Sequence, residues 1–196
     1  RVFETPTSEN AMTGIGVGMS LNNNPCVMMH QRLDFFLLAM DQLVNSAAKW
    51  HFMFGGKKSV PITIRLVVGK GWGQGPTHSQ SLQSWFSHIP GLKVVMPSFP
   101  GDAYNLLKTS IRDPNPVIFI EHRWLHNLEQ ETKKIKYKNQ KYLPELISKG
   151  KDFTAVSYSL STIEILSLKK VLDQNKISFD LIDLKSIKPL NISMIR

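Results

Sequence analysis

A single cysteine, Cys26, in 196 residues excludes an intramolecular disulfide framework and any cysteine-built metal cluster, and it suits a reducing compartment. No apolar run approaches the roughly 20 residues of a membrane-spanning helix, and the first residues lack the basic, apolar and small-residue succession of a secretion signal. The expected location is the cytoplasm, or a mitochondrial or plastid matrix in a eukaryote. Acidic residues are the scarcer charge, 15 against 24 basic ones, for a formal charge of +9. Much of that excess is local, since residues 128–152 hold seven Lys against three Glu and one Asp. A solvated basic loop accounts for it. The interleaved aromatic and basic residues of a nucleic-acid surface are not evident. Aliphatic residues, by contrast, are plentiful: 42% of the chain is hydrophobic and 20% charged, which suits a globular core rather than a disordered chain.

Short β-branched and apolar runs recur at Cys26–Met29, Ile62–Val68, Val94–Met96, Val117–Ile120, Thr154–Tyr158 and Phe179–Leu184, the pattern of buried strands. Segments of helical spacing lie between them, at about 8–21, 34–50, 79–88, 101–112 and 161–174. Alternation of this kind predicts an α/β fold with helices flanking a mostly parallel sheet. The polar, Lys-rich stretch 128–150 has no clear period and reads as a linker. Strand, helix and strand then begin again at Phe153, which puts a domain boundary near residue 150. Both ends look cut: the chain opens at Arg1 and stops soon after a new segment begins at Pro189-Leu190.

Several residues invite a chemical reading beside a plain one. Glu9 sits where a carboxylate suits the positive end of a helix that Thr7 or Ser8 would cap, which alone explains it. Gly14, Gly16 and Gly18 have the wrong spacing for a dinucleotide loop and no strand immediately before them. Their expected use is to let another element approach closely. His78, on a glycine-rich loop after a strand, stands where α/β enzymes present reactive side chains. It is also open to a structural reading, and Ser79 and Gln80 to capping the next helix. His51, His88, His122 and His126 lack metal-ligand spacing with nearby Cys or carboxylates. Arg123, Trp124 and His126 follow a strand end and are placed to line a cleft. The default for Phe35, Phe36, Phe52, Phe54, Trp85 and Phe86 is core or interface packing.

Taken in order, several stretches resemble the beta subunits of the pyruvate, branched-chain 2-oxoacid and acetoin dehydrogenases, members of the transketolase-like superfamily. They are Arg1-Val2-Phe3-Glu4-Thr5-Pro6 with Ser8-Glu9, the run from Met40-Asp41-Gln42 to Ala48-Lys49, and Met53-Phe54-Gly55-Gly56. His78-Ser79-Gln80-Ser81, Ile89-Pro90-Gly91-Leu92-Lys93-Val94-Val95-Met96-Pro97 and the run from Asp113-Pro114-Asn115-Pro116 to Glu121-His122 complete the set. The resemblance covers nearly the whole chain and is weakest over 128–150. It implies that 1–127 form most of a pyrimidine-binding domain, that 128–150 is a linker, and that 151–196 begin a transketolase C-terminal-type domain. It also implies a segment before Arg1 that is absent here.

The resemblance further implies a thiamine diphosphate enzyme with Mg2+, an oxidoreductase passing the acyl group of a small 2-oxoacid to a lipoyl carrier. Glu9 matches the glutamate that hydrogen-bonds N1′ of the cofactor's aminopyrimidine, Phe35 the aromatic stacked on that ring, and His78 a histidine near the reactive carbon. Ile62, Ser110, Ile111, Asp113 and Asn115 match a monovalent-cation site, for K+, built mostly from backbone oxygens. No glycine-aspartate-glycine motif for Mg2+ and diphosphate is present; in the family that half belongs to the alpha subunit. The implied partners are therefore an alpha subunit, in a heterotetramer of two alpha and two beta chains, and a lipoyl acyltransferase component, with no nucleic acid and no membrane. Two places depart from the pyruvate enzymes: Gln31-Arg32-Leu33, where those carry apolar residues and Thr, and the loop Gly71-Trp72-Gly73-Gln74-Gly75. The rivals are a single-chain thiamine enzyme such as a transketolase or deoxyxylulose-phosphate synthase, against which the beta-subunit motifs argue, and a non-catalytic assembly subunit.

Overall fold

The computed structural model describes residues 2, 4–22, 24–131 and 142–195. Arg1 and Phe3 of the opening motif, and 132–141 of the expected linker, lie outside the described residues. The chain divides into two compact units, residues 1–94 with 110–120, and 95–109 with 121–196.

In the first unit, helix α1 (Glu9–Leu21) precedes strand β1 (Cys26–His30), and a second helical stretch begins with α2 (Leu33–Phe36) and ends with α3 (Ala48–Met53). Strand β2 (Ile62–Val68), helix α4 (Gln83–His88), strand β3 (Lys93–Val95) and strand β4 (Val117–His122) follow; helix α5 (Pro100–Ile111), between the last two in the chain, belongs mostly to the second unit. The sheet order is β1-β2-β4-β3. β1 and β2 run parallel, from Cys26 opposite Ile62 to His30 opposite Leu66. β2 is buried on both faces, with only Arg65 partly exposed, so its sequence is a mostly apolar run, broken by Thr63 and Arg65, instead of a regular alternation. Leu33, Phe36, Ile64, Leu66, Phe86 and Ile118 are fully buried in this core.

α1 lies close to the sheet because of Gly16, where a Cβ would stand 2.3 Å from Met28 Sδ and 3.2 Å from Ile62 Cδ1. The close approach expected of the α1 glycines is thus real at Gly16, whereas Gly18 faces open space. Ser8 is the N-cap, but its side chain makes no capping bond; only its carbonyl accepts, from Met12 N at 2.8 Å. Ser79 and Gln80 do not cap the next helix either, because α4 starts at Gln83 with Leu82 before it.

The helix expected over 34–50 is a composite. It passes through a 3-10 turn at Leu37–Ala39 and a π-helical stretch at Gln42–Ala47 before returning to α winding.

The second unit contains strands β5 (Glu145–Ser148), β6 (Phe153–Ser157), β7 (Phe179–Asp183) and β8 (Ser186–Lys188), with helices α6 (Leu160–Ser167) and α7 (Lys169–Gln174) between β6 and β7. Its sheet runs β5-β7-β6. β6 and β7 are parallel, whereas β5 and β7 are antiparallel. β5 lies inside the stretch read as linker, so residues 145–148 are a paired strand instead. A short run containing Glu145 and preceded by Pro144 gave too few alternating positions to show it. Buried polar groups hold this unit together. Lys185, 1% exposed, bonds Asp102 at 2.6 Å and also Glu145. Asp183 accepts from Ser98 at 2.9 Å and Thr162 at 3.2 Å.

Candidate functional site

The site residues of the first unit come from three places in the chain: the first turn of α1, helix α2 and the loop after β2. Glu9 opens α1, where helix amides and the macrodipole favour a carboxylate. It is half-buried, and among the described residues no donor reaches its carboxylate. Its charge bears on His30, at the end of β1. Burial holds the His30 imidazole below its ordinary range, and Glu9 partly offsets that. His30 also lies 3.5 Å from Thr13 Oγ1 and meets the Phe36 ring edge-on, with centres 4.8 Å apart.

Phe35 and His78 are in direct contact. Their ring centres are 5.2 Å apart and their planes 88° apart, and both residues are half-buried. His78 ends a short 3-10 turn begun by Pro76, and its Nδ1 lies 3.1 Å from Thr77 Oγ1. Side chains from α2 and the residue before it hold this loop. Asp34 accepts from Gln80 Nε2 at 2.8 Å and from Gln80 N at 3.3 Å, while Arg32 donates to the His78 carbonyl at 3.0 Å and to the Gln74 side chain. Ser79 Oγ turns back to the carbonyls of Gln74 and Gly75, 3.2 Å from each.

The structure thus brings Phe35 and His78 together, whereas the charge of Glu9 bears on His30, which packs on Phe36, and no contact of Glu9 with Phe35 or His78 is found among the described residues. His30, Arg32 and Asp34 were missed in the sequence. The roles of Arg32 and Asp34 depend on partners 42 to 46 residues away and that of His30 on neighbours in α1 and α2, and only the unusual Gln31-Arg32-Leu33 stretch hinted at one of them.

The five residues matched to a cation site are only partly joined. Ser110 O accepts from Asp113 N at 3.1 Å, and the Asp113 carboxylate accepts from Asn115 N at 3.0 Å. Lys93 Nζ lies 2.5 Å from that same carboxylate, so a cation here would depend on main-chain carbonyl oxygens. Ile111 ends α5, and Ile62, fully buried on β2, has no described hydrogen bond to the others. No group of three or more His, Cys, Asp or Glu is placed to hold a metal among the described residues. In the second unit, His126 lines a shallow cleft with Ser98, Phe99, Glu121 and His122, while Arg123 and Trp124 do not. No helix among the described residues is long and apolar enough to cross a membrane.

Residues 1–127 match the family described as transketolase, pyrimidine binding domain. The chain is 37% identical over 195 residues to the acetoin:2,6-dichlorophenolindophenol oxidoreductase subunit beta of Cupriavidus necator, covering 100% of this chain and 58% of that protein. It is 37% identical to the pyruvate dehydrogenase E1 component subunit beta of Porphyra purpurea, covering 100% of this chain and 59% of the relative. The corresponding subunit of Rhizobium meliloti is also 37% identical, over 98% of this chain and 42% of its own length. The chain therefore spans about half the length of these relatives. Among solved structures, a split-gene transketolase described as an inactive beta4 tetramer superposes with a TM-score of 0.81 at 19% identity. That match covers 98% of this chain and 59% of the other, a likeness of fold.

Proposed function

The chain belongs to the transketolase pyrimidine-binding domain family, and from this premise we propose that it is part of the beta subunit of a thiamine-diphosphate-dependent 2-oxoacid dehydrogenase. The observation that carries this reading is the Glu9 carboxylate. It is half-buried at a helix N-terminus, without a donor among the described residues, and an aromatic–imidazole pair lies in the same unit. An aminopyrimidine ring offers what such a site lacks: an N1′ that shares a proton with a carboxylate, and a flat face for Phe35.

Thiamine diphosphate, when bound, supplies the electron sink for decarboxylation. Glu9 holds the proton shared with the pyrimidine nitrogen, Phe35 packs on the ring and excludes water, and His78 orients substrate or moves a proton near the reacting carbon. Residues 1–127 form most of the pyrimidine-binding domain, and 151–196 begin the C-terminal one. Mg2+ and the diphosphate are left to an alpha subunit, in a heterotetramer that passes its acyl group to a lipoyl acyltransferase. A monovalent cation such as K+ would rest on the main chain near Ser110, Ile111, Asp113 and Asn115.

The equal identity to an acetoin oxidoreductase subunit supports a second reading, in which the substrate is acetoin. The test is to purify the full-length protein with its alpha subunit and supply a panel of 2-oxoacids and acetoin with an artificial electron acceptor. Turnover that needs both subunits and thiamine diphosphate is expected. A cofactor-loaded complex inert toward every member of the panel would overturn the reading.

A further inference from the structure

The two places where the chain departs from the pyruvate enzymes are joined by one side chain. Arg32 leaves the end of β1 in an extended conformation, φ −144°, and is only 7% exposed. One guanidinium nitrogen donates to the His78 carbonyl at 3.0 Å, the other to the Gln74 side chain, and the guanidinium carbon lies 5.8 Å from the centre of the Trp72 ring. The loop it holds is glycine-rich, with Gly69, Gly71 and Gly73 at positive φ, up to 139°, and bonds from Ser79 Oγ to the Gln74 and Gly75 carbonyls close its last turn. The place of His78 beside Phe35 therefore depends on this anchor and on the bonds from Asp34.

The charge on Arg32 is as informative as its bonds. A guanidinium stays ionised and has five N–H donors. Both described acceptors, a peptide carbonyl and a side-chain amide, are neutral. No carboxylate of the described residues is in ion-pair reach of it. Burying a cation without a counter-charge is unfavourable, and a ligand carboxylate entering beside His78 would relieve that.

We propose that Arg32 is a positioning and specificity-determining residue: it holds the His78 loop, and its uncompensated charge makes the site select a small 2-oxoacid anion over a neutral hydroxyketone. The inference rests on the thiamine-enzyme reading above and decides between the two substrates it leaves open. Lys in place of Arg keeps the charge but loses the planar fork that reaches two acceptors at once. Gln loses the charge.

The test uses the full-length protein in complex with its alpha subunit, loaded with thiamine diphosphate. Calorimetry compares two probes: oxamate, an inert carboxylate shaped like pyruvate, and acetoin. Wild type is expected to prefer oxamate. R32Q should weaken oxamate binding by at least about tenfold and acetoin binding by markedly less, because both probes lose the loop anchor but only oxamate loses the charge. R32K should keep the preference but lower kcat with a 2-oxoacid more than it raises KM, since His78 is no longer held. Equal weakening of both probes by R32Q, unchanged oxamate binding, or a wild type that prefers acetoin would each overturn the proposal. Should R32Q fail to assemble, R32K decides: an unchanged kcat overturns the anchoring role, and a lost oxamate preference overturns the charge role. Because binding is measured apart from turnover, a complex that discriminates through Arg32 yet oxidises no 2-oxoacid would refute the dehydrogenase reading and leave Arg32's selectivity standing.

Discussion

The imidazole of His78 stands edge-on to the ring of Phe35, with centres 5.2 Å apart and planes at 88°. This geometry sets a positive ring edge against a negative face. A titratable group is thereby held against an apolar ring. His78→Ala in the full-length complex is therefore expected to lower turnover of a 2-oxoacid by about a hundredfold, the scale of a lost proton-transfer group. Thiamine diphosphate affinity should stay within a few-fold. Steady-state kinetics and calorimetry on the same preparation separate the two. Equal losses in both would assign His78 to folding of its loop.

A second prediction concerns pH. Asp183 is fully buried, and burial is the largest influence pushing its carboxyl up to about 6; the neighbouring Asp102 pushes the same way, while bonds from Ser98 and Thr162 and the charge of Lys185 oppose the rise. The native state thus holds this proton more tightly than the unfolded chain, whose Asp titrates near 3.9. Its stabilising contribution is complete below about pH 4 and is lost as pH rises through about 6. The loss is on the order of 3 kcal/mol if the full shift is realised. Asp183→Asn should flatten the pH dependence of the denaturation midpoint between about 4 and 6.5. A variant as steep as wild type over that window would place the titration elsewhere.

β2 was legible because burial on both faces leaves a short, mostly apolar and β-branched run, too short for an ordinary helix. β5 and β8 were not, being only four and three residues long and interrupted by charge. The stretch 34–50 was legible as helical, but its change from 3-10 to π winding was hidden. A period near 3.6 averages over such local changes of winding. At the candidate site the pattern around Glu9, Phe35 and His78 was visible from motif order. The side chains that fix it, Arg32 and Asp34, were not, because their partners lie 42 to 46 residues away. Nothing local marks such a bond.

Gly91 and Gly18 should respond oppositely to the same substitution. A Cβ at Gly91, where φ is +96°, would stand 1.9 Å from the carbonyl oxygen of Ala48. Neither the backbone conformation nor the neighbour can yield cheaply, so Gly91→Ala should cost more than about 3 kcal/mol and yield little soluble protein. Gly18 lies within α1 with no atom in reach of a Cβ. Gly18→Ala should stabilise the subunit by about 0.5–1 kcal/mol through helix propensity. If that face of α1 is a subunit interface, the same variant will weaken assembly, read by light scattering beside the unfolding curve.

The sharpest test falls on Glu9. Glu9→Gln nearly preserves shape, and the Ser8 side chain makes no capping bond that could be disturbed, so assembly of the full-length complex should survive. Loss of the negative charge at the start of α1 is worth up to about 2 kcal/mol at a half-buried helix end. It also removes the partner that partly offsets the effect of burial on His30, so the His30 imidazole should titrate lower still, a shift readable by NMR. An amide cannot take up or release a proton at N1′ as a carboxyl does, and turnover should fall by hundreds-fold or more, on the order expected for a lost proton-transfer group. Cofactor affinity should weaken only modestly, because the diphosphate contacts lie elsewhere. The deciding measurement is hydrogen–deuterium exchange at C2 of bound thiamine diphosphate, compared between variant and wild type at saturation. A slowed exchange places Glu9 in the chemistry, whereas an unchanged rate would return it to the role of a carboxylate that suits a helix end.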